Sequence, residues 1–206
     1  MRRLQRAALL VVLAEKLLAR SGRCGETHLQ KTTFFLEELL ELPTGFSFIL
    51  YKNGPFSFDL RNELALMRAD GLLELRVEQI PCGPSLVPTV LGTTMCGWFQ
   101  KTVARYASRL DFVAESMGGR KVGELERMAT ALYITKRETG PKSPEQRARR
   151  LTELKPHVSA EEAESAIVLL AQIIEKACAS FNVELPGRAG ETICQSEGIQ
   201  LSMSNA

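Results

Sequence analysis

The chain has 206 residues, of which 45% are hydrophobic and 24% are charged, the composition of an ordinary soluble globular protein. Its formal net charge of +2 is too mild to indicate a protein that binds nucleic acid through its overall charge. The five cysteines are scattered and lack a C-x-x-C spacing, which argues against a disulfide framework and a zinc ribbon. The sequence therefore predicts reduced, mostly buried thiols.

The N-terminus resembles a targeting signal only at first. Three arginines within the first six residues precede an apolar run over residues 7–14, but Glu15 and Lys16 interrupt that run and no cleavage site follows. The spacing favours a buried amphipathic helix over a signal peptide. No apolar run approaches the roughly 18 residues that a membrane span requires. We expect a cytoplasmic protein without a membrane partner.

Capping signals and hydrophobic periodicity predict three helices in the N-terminal half. The first covers about residues 4–19 and is apolar nearly all round, which is typical of a central helix. The second opens at Thr27, because Thr27-His28-Leu29-Gln30 has the pattern of a capping box, and Pro43 ends it. The third has Ser57 as its N-cap and Gly71 as its C-cap.

Two β segments complete this half. Residues 46–50 form a short predicted strand, followed by a turn at residues 52–55. Residues 72–80 and 86–91 are predicted to pair as a hairpin whose tip lies at residues 81–85. Helix, helix, short strand, helix and hairpin is the element order of a winged helix-turn-helix.

The rest of the sequence predicts helices over residues 95–117, 122–137 and 145–154, and a last one that opens with the capping box Ser159-Ala160-Glu161-Glu162. The fold class is thus mostly α with a small β-hairpin. We predict a winged helix-turn-helix-like part over residues 1–94 and a C-terminal helical bundle over residues 95–182 that packs on it as one structural unit. A polar, flexible tail is predicted over residues 183–206.

Three short motifs lie along the N-terminal half: LQKTTFF at residues 29–35, YKNGPFS at 51–57 and DGLL at 70–73. In order and spacing they resemble the sequence motifs of bacterial and archaeal proteins related to the Panacea (SocA-like antitoxin) domain. Residues 125–133 and 154–159 resemble the helical half of the uncharacterised branch of such proteins. The resemblance implies a non-enzymatic module that binds and neutralises a toxin or presents it to a protease.

Enzymatic chemistry lacks its usual residues in this sequence. There is no phosphate-binding G-x-x-x-x-G-K-[ST], no G-x-G-x-x-G and no G-x-S-x-G nucleophile motif. The two histidines, His28 and His157, have neither a carboxylate nor a cysteine at metal-ligand spacing. We therefore predict no catalytic residue, no cofactor and no metal site.

The third predicted helix is the first candidate for contact with a partner. A winged helix often reads DNA with this helix, and Arg and Asn are the residue types that read guanine and adenine edges. The candidates are Lys52, Asn53, Arg61, Asn62 and Arg68. Three acids on the helix, Asp59, Glu63 and Asp70, oppose its two arginines. This balance favours a solvated or protein-facing surface over a DNA-reading one.

A basic cluster is the second candidate. Residues 96–156 carry thirteen Lys or Arg against seven acids, whereas residues 157–206 carry two against seven. The cluster consists of Lys136, Arg137, Lys142, Arg147, Arg149 and Arg150. It is suited to an acidic protein surface or a nucleic-acid backbone, and the alternative is a solvated helix start that pairs with the acidic last helix.

The leading hypothesis from the sequence is an antitoxin-like or adaptor module that binds and neutralises a protein partner. The alternative is a winged-helix transcriptional regulator that binds DNA. The sequence does not predict an oligomeric state.

Overall fold

A computed structural model describes residues 1–77, 83–140, 143–181 and 183. Within these residues the chain forms eight helices and two separate two-stranded antiparallel sheets, so the predicted mostly helical fold with a small β-hairpin is confirmed. The helices are α1 (Arg3–Ser21), α2 (Glu26–Glu38), α3 (Phe58–Ala69), α4 (Val90–Trp98), α5 (Gln100–Met117), α6 (Val122–Arg137), α7 (Pro144–Leu154) and α8 (Ala160–Phe181). The strands are β1 (Ile49–Tyr51), β2 (Gly54–Phe56), β3 (Leu73–Arg76) and β4 (Ser85–Pro88).

Helix α1 lies at the centre of the N-terminal half, as its apolar circumference predicted. Ala7, Leu13 and Leu17 are fully buried, and the helix packs against α2, α4, α5 and β4. It ends where Gly22 adopts a left-handed conformation with φ of 71° and donates its N–H to the carbonyl of Leu18.

The predicted capping box at the start of α2 is wrong. The helix begins at Glu26, and its N-cap is Gly25, which has no side chain to offer. The Gln30 side chain, predicted to cap this helix, instead bonds the backbone of Ser57. The Gln30 side chain therefore forms hydrogen bonds with a residue distant in sequence and not with the N-terminus of its own helix.

The segment between α2 and α3 forms a hairpin of which the sequence predicted only one strand. Strand β1 pairs with β2 in the register Ile49 opposite Phe56 and Tyr51 opposite Gly54. Because Pro55 has no N–H for a ladder, the sequence indicated a turn at the position where β2 runs. Both strands are three residues long.

The next elements follow the prediction more closely. The Ser57 hydroxyl accepts the N–H of Leu60 at 3.2 Å, which confirms this residue as the N-cap of α3. Strands β3 and β4 pair antiparallel, with Leu73 opposite Pro88. Residues 78–82, the end of the first predicted strand and the first two residues of the predicted tip, lie outside the described residues.

The single helix predicted over residues 95–117 is wrong, because two helices, α4 and α5, occupy the segment and meet at Phe99. Thr89 begins α4 earlier than predicted by accepting the N–H of Gly92 at 3.0 Å on its hydroxyl. Phe99, with φ of −117° and ψ of 28°, breaks the helical path.

Helix α6 has the predicted bounds, and α7 begins one residue earlier than predicted. The predicted capping box before α8 is confirmed by the reciprocal bonds between Ser159 and Glu162, at 3.1 and 3.2 Å. Residues 184–206, most of the predicted tail, lie outside the described residues.

The C-terminal helices pack against one side of the β1–β2 hairpin. Helix α6 packs against both α2 and β2, and α7 and α8 pack against α6. The Phe34 ring on α2 bridges the two halves, since its centroid lies 5.2 Å from that of Phe48 and 6.5 Å from that of Tyr133. One side of the hairpin therefore packs on helices, and its other side faces solvent.

Candidate functional site

Two lysines fix the β1–β2 hairpin from inside the protein. Lys31 on α2 is 1% exposed, and its ammonium donates to the carbonyl of Pro55 at 2.9 Å. Lys155, which follows α7, donates to the carbonyl of Tyr51 at 3.2 Å and also to that of Lys52. Because the two ammonium groups reach opposite ends of the turn, the hairpin has little freedom to shift on the helices behind it.

These charges titrate away from their ordinary values because they are buried. Burial lowers the pKa of Lys31 to about 8, against an opposing effect of Glu126. Burial likewise lowers the pKa of Lys155 and raises that of Glu126, whose carboxylate is partly compensated by the two lysines. Lys31, Lys155 and Glu126 therefore form a desolvated charge cluster beneath the hairpin.

The pKa of Lys31 makes stability depend on pH. Its pKa of about 8 in the folded chain lies below the ordinary lysine value of 10.5, so between these values the unfolded chain binds more protons and stability rises with pH. We expect the free energy of unfolding of the wild type, minus that of Lys31→Met, to increase by about 2 kcal/mol from pH 7 to pH 9.5. Urea denaturation followed by circular dichroism measures both chains at each pH.

The exposed Lys101 supplies the matched control for this experiment, as Lys101→Met. A constant difference between wild type and Lys31→Met over the same pH range would show that the Lys31 ammonium is not desolvated in the folded chain.

Gln30 positions the start of α3 against the hairpin. Its side-chain amide donates to the carbonyl of Ser57 at 2.9 Å, and its amide oxygen accepts the N–H of Ser57 at 2.9 Å. Since Ser57 also caps α3, this two-point contact connects α2, the end of β2 and the first turn of α3. Gln30 and Lys31 of the LQK motif thus fix the backbone of β2 and the start of α3.

Three aromatic rings lie on the solvent side of this framework, and we call Tyr51, Phe56 and Phe58 the aromatic cluster. Their ring centroids are 5.1 to 5.8 Å apart in tilted and edge-on pairs. Tyr51 remains 46% exposed and Phe58 45% exposed. Ile49, in β1, is 48% exposed. A contiguous apolar surface of this kind on rigid elements is typical of a binding site.

A cleft of about 330 Å³ adjoins the aromatic cluster. It lies between the first turns of α2 and the hairpin, and its lining residues are Glu26, Thr27, Gln30, Lys31, Tyr51, Lys52, Asn53, Gly54 and Phe56. The predicted contact residues Lys52 and Asn53 are exposed at its rim. The structure therefore brings two predicted residues beside an apolar surface that the sequence did not predict.

The charge balance of α3 differs from the one that the sequence indicated. Glu63 is 5% exposed and accepts Arg3 at 3.0 Å, with Arg6 3.6 Å away. Asp70 pairs with Arg3 at 2.7 Å. Arginines of α1 therefore pair with two of the three acids, Glu63 and Asp70, but not with Asp59.

Arg61, Asn62 and Arg68 are all exposed on α3, as a contact role requires. Arg61 and Arg68 line a second cleft of about 320 Å³, which lies between α3 and the β3–β4 sheet. Glu26 lines this cleft as well as the first one, so the two adjoin at the start of α2. Lys52 and Asn53 thus line the first cleft and Arg61 and Arg68 the second, whereas Asn62 lines neither.

The basic cluster is largely committed to internal contacts. Arg137 donates to the carbonyl of Phe48 at 2.8 Å and pairs with Glu38. Arg150 pairs with Glu138 at 2.8 Å and with Glu153 at 3.2 Å.

The other described members of the basic cluster differ in their exposure. Arg149 is well exposed and lies 3.9 Å from Glu153, while Lys136 and Arg147 are half-buried. Lys142 lies outside the described residues. The acids that pair with Arg137, Arg149 and Arg150 come from α2, α7 and the end of α6, whereas the predicted alternative had the cluster pairing with α8.

The described residues contain neither a cluster of metal ligands nor a helix that could span a membrane. In residues 1–77, 83–140, 143–181 and 183, no three His, Cys, Asp or Glu side chains come together as metal ligands. None of the helices in this part of the chain is long and apolar enough to cross a membrane. Cys24 is buried, as predicted for the thiols, and burial raises its pKa to about 12, whereas Cys96 and Cys178 are half-buried.

The sequence matches no known family model, and no curated protein is significantly similar to it. The resemblance to the Panacea domain therefore stays a prediction.

Sequence reasoning missed both lysine anchors and the aromatic cluster. A signal for the cluster was present, because Tyr51, Phe56 and Phe58 lie within eight residues around a Gly-Pro turn. The exposure of Tyr51 and Phe58 could not be predicted, because it depends on α6 packing behind the hairpin and leaving the other side to solvent.

Proposed function

We propose that this chain is a non-enzymatic cytoplasmic module that binds a partner protein through the β1–β2 hairpin and the start of α3. The observation that carries the proposal is the aromatic cluster, in which Tyr51 and Phe58 are nearly half exposed although three rings contact one another. Aromatic residues are enriched at protein interfaces and dominate their binding energy.

The chemistry around the aromatic cluster specifies the partner segment. Lys52 on the turn and Arg61, one turn along α3 from Phe58, are exposed at its edge, with Asp59 as the nearest acid in sequence. An apolar side chain on the rings, flanked by a carboxylate near these cations, complements this arrangement. Following the Panacea resemblance, we propose that the partner is a toxin and that binding neutralises it.

A growth experiment tests this function. Each small protein encoded next to this gene is expressed alone to find one that arrests growth, and the wild-type chain is then co-expressed with it. We expect rescue by the wild type and loss of rescue by Phe58→Glu. Phe58 is the first residue of α3, where the helix dipole tolerates an acid, so this variant is expected to fold.

Val168→Glu is the matched control, because Val168 is 57% exposed on α8, away from the hairpin. Rescue that survives Phe58→Glu as well as it survives Val168→Glu would refute the proposed surface. A toxic neighbour that the wild type does not counteract would refute the antitoxin role itself.

A second candidate function is duplex DNA binding by α3. It is favoured by one observation: Arg3 pairs with Glu63 and Asp70, two of the three acids of α3, which leaves Asp59 and, across the cleft, Glu26 as the acids near Arg61 and Arg68. Phosphate contacts by arginine make affinity fall steeply with salt.

Fluorescence anisotropy with a random duplex, measured between 50 and 200 mM salt, tests this candidate. If α3 binds DNA, Arg61→Ala and Arg68→Ala each reduce the salt slope by about one unit, whereas Arg149→Ala, an exposed arginine of α7, leaves it unchanged. Absence of binding even at the lowest salt excludes this candidate and leaves the protein partner.

A further inference from the structure

Helix α4 presents an exposed apolar face that the proposed function does not use. Val90, Leu91, Thr94 and Trp98 recur at helical spacing and form one stripe, which we call the α4 stripe. Val90 is 86% exposed, Leu91 49% and Trp98 68%. Trp98 is the only tryptophan in the chain. Such exposure of large apolar side chains on one helix face indicates an interaction surface.

The α4 stripe carries no charge and no free polar side chain. Helix α4 contains no charged residue, and the chain has no Asp or Glu from Gln79 to Leu110. The Thr94 hydroxyl donates to the carbonyl of Val90 at 2.7 Å, so its hydrogen bond is made within the helix. A charged partner would lose hydration here without gaining a counter-charge on the helix, which favours an uncharged occupant.

We propose that the occupant is a second copy of this chain, whose own α4 stripe pairs antiparallel with the first in a two-fold symmetric dimer. An uncharged apolar stripe is complementary to itself, as a two-fold interface requires. Antiparallel pairing sets the Trp98 end of one helix against the Val90 end of the other. It also places the exposed cations Lys101 and Arg105, which follow α4, at opposite ends of the interface.

The geometry of α4 permits close approach, and its size predicts a weak dimer. A methyl group at Gly97 would meet no atom within 4 Å, so the backbone beside Trp98 is open to a neighbouring helix. From its exposed fractions the stripe offers on the order of 400 Å² per copy, hence about 800 Å² in the pair, less than the roughly 1,200 Å² of a stable interface. We therefore expect a weak dimer that forms only at high protein concentration. This inference is independent of the proposed function.

Sedimentation equilibrium between 5 and 500 µM tests the proposal, together with the fluorescence of Trp98. We expect a monomer–dimer equilibrium and an emission maximum that moves to shorter wavelength as concentration rises. Leu91→Lys and Thr94→Lys should each weaken dimerisation at least tenfold, while Val168→Lys, at an equally exposed apolar position on α8, should not. Far-ultraviolet circular dichroism checks that each variant is folded.

Three results would overturn the proposal: a monomer at every concentration, a dimer that the α4 variants leave intact, or equal weakening by the Val168 control. Neutral and anionic phospholipid vesicles provide a separate arm. A Trp98 shift that requires vesicles, in a chain that stays monomeric, would assign the α4 stripe to a lipid surface and would equally overturn the dimer.

Discussion

Replacing Gly92 by alanine is expected to destabilise the protein by about 3 kcal/mol or more. A methyl group on Gly92 would lie 2.3 Å from the carbonyl oxygen of Leu72 and 3.1 Å from its carbonyl carbon. Both are backbone atoms, so no side-chain rotation relieves the overlap. Helix α4 would have to move away from the β3–β4 sheet, which loosens the contacts of Met95 in the core.

Gly97→Ala is the control for Gly92→Ala because both residues lie in α4. Its added methyl group meets open space, and alanine is the better helix former, so we expect a neutral or slightly stabilising change. Chemical denaturation of both variants measures the difference. Equal stability of the two would show that α4 does not pack on Leu72 as closely as described.

Gly54→Ala is expected to have the second largest effect, about 2–3 kcal/mol of lost stability. Gly54 has φ of 87°, which a residue with a Cβ adopts at a cost. Its Cβ would also lie 2.9 Å from the Thr130 hydroxyl and 3.1 Å from the carbonyl oxygen of Glu126. Either the hairpin or α6 must shift, so the aromatic cluster would lose its fixed position.

Gly22→Ala separates the cost of the left-handed backbone from the cost of the steric overlap. Gly22 also has a left-handed φ, of 71°, but a methyl group there meets nothing within 4 Å. The variant therefore reports the backbone cost alone, which we put at about 1 kcal/mol. Thermal or urea denaturation compares the pair, and a Gly54→Ala cost no larger than that of Gly22→Ala would contradict the close packing of the hairpin on α6.

The elements that were predictable from the sequence are those specified locally. Helix α6 has regular apolar spacing, and α3 and α8 carry N-caps whose hydrogen bonds are made between neighbours in sequence. Local rules failed where a distant group competed for the same atoms. Gln30 had the right spacing to cap α2, but Ser57 offers its buried side chain two hydrogen bonds.

The contact surface formed by the β1–β2 hairpin and α3 was predictable only in part, because groups distant in sequence contribute to it. Lys52, Asn53, Arg61, Asn62 and Arg68 were identified by residue type and are exposed as expected. Their electrostatic setting was not, because Arg3, some 60 residues away in sequence, pairs with Glu63 and Asp70. Charge counted along one helix cannot include cations supplied by another.

The basic cluster is less available to a partner than its sequence indicated. A run of arginines near residue 147 indicated a surface for acidic partners, yet Arg137 and Arg150 connect elements of the fold through Glu38 and Glu138. Cations that bond carbonyl and carboxylate groups of their own chain offer little charge to a partner. The hairpin surface is therefore the stronger candidate of the two.

The central claim is that the aromatic cluster is the contact surface for a partner protein, and calorimetric titration of the purified chain with the toxic neighbour tests it most directly. We expect Tyr51→Ala and Phe58→Ala each to weaken binding by about 2 kcal/mol, roughly thirtyfold, while Val168→Ala leaves the affinity unchanged. Wild-type affinity in both aromatic variants, with their folding intact, would contradict the claim.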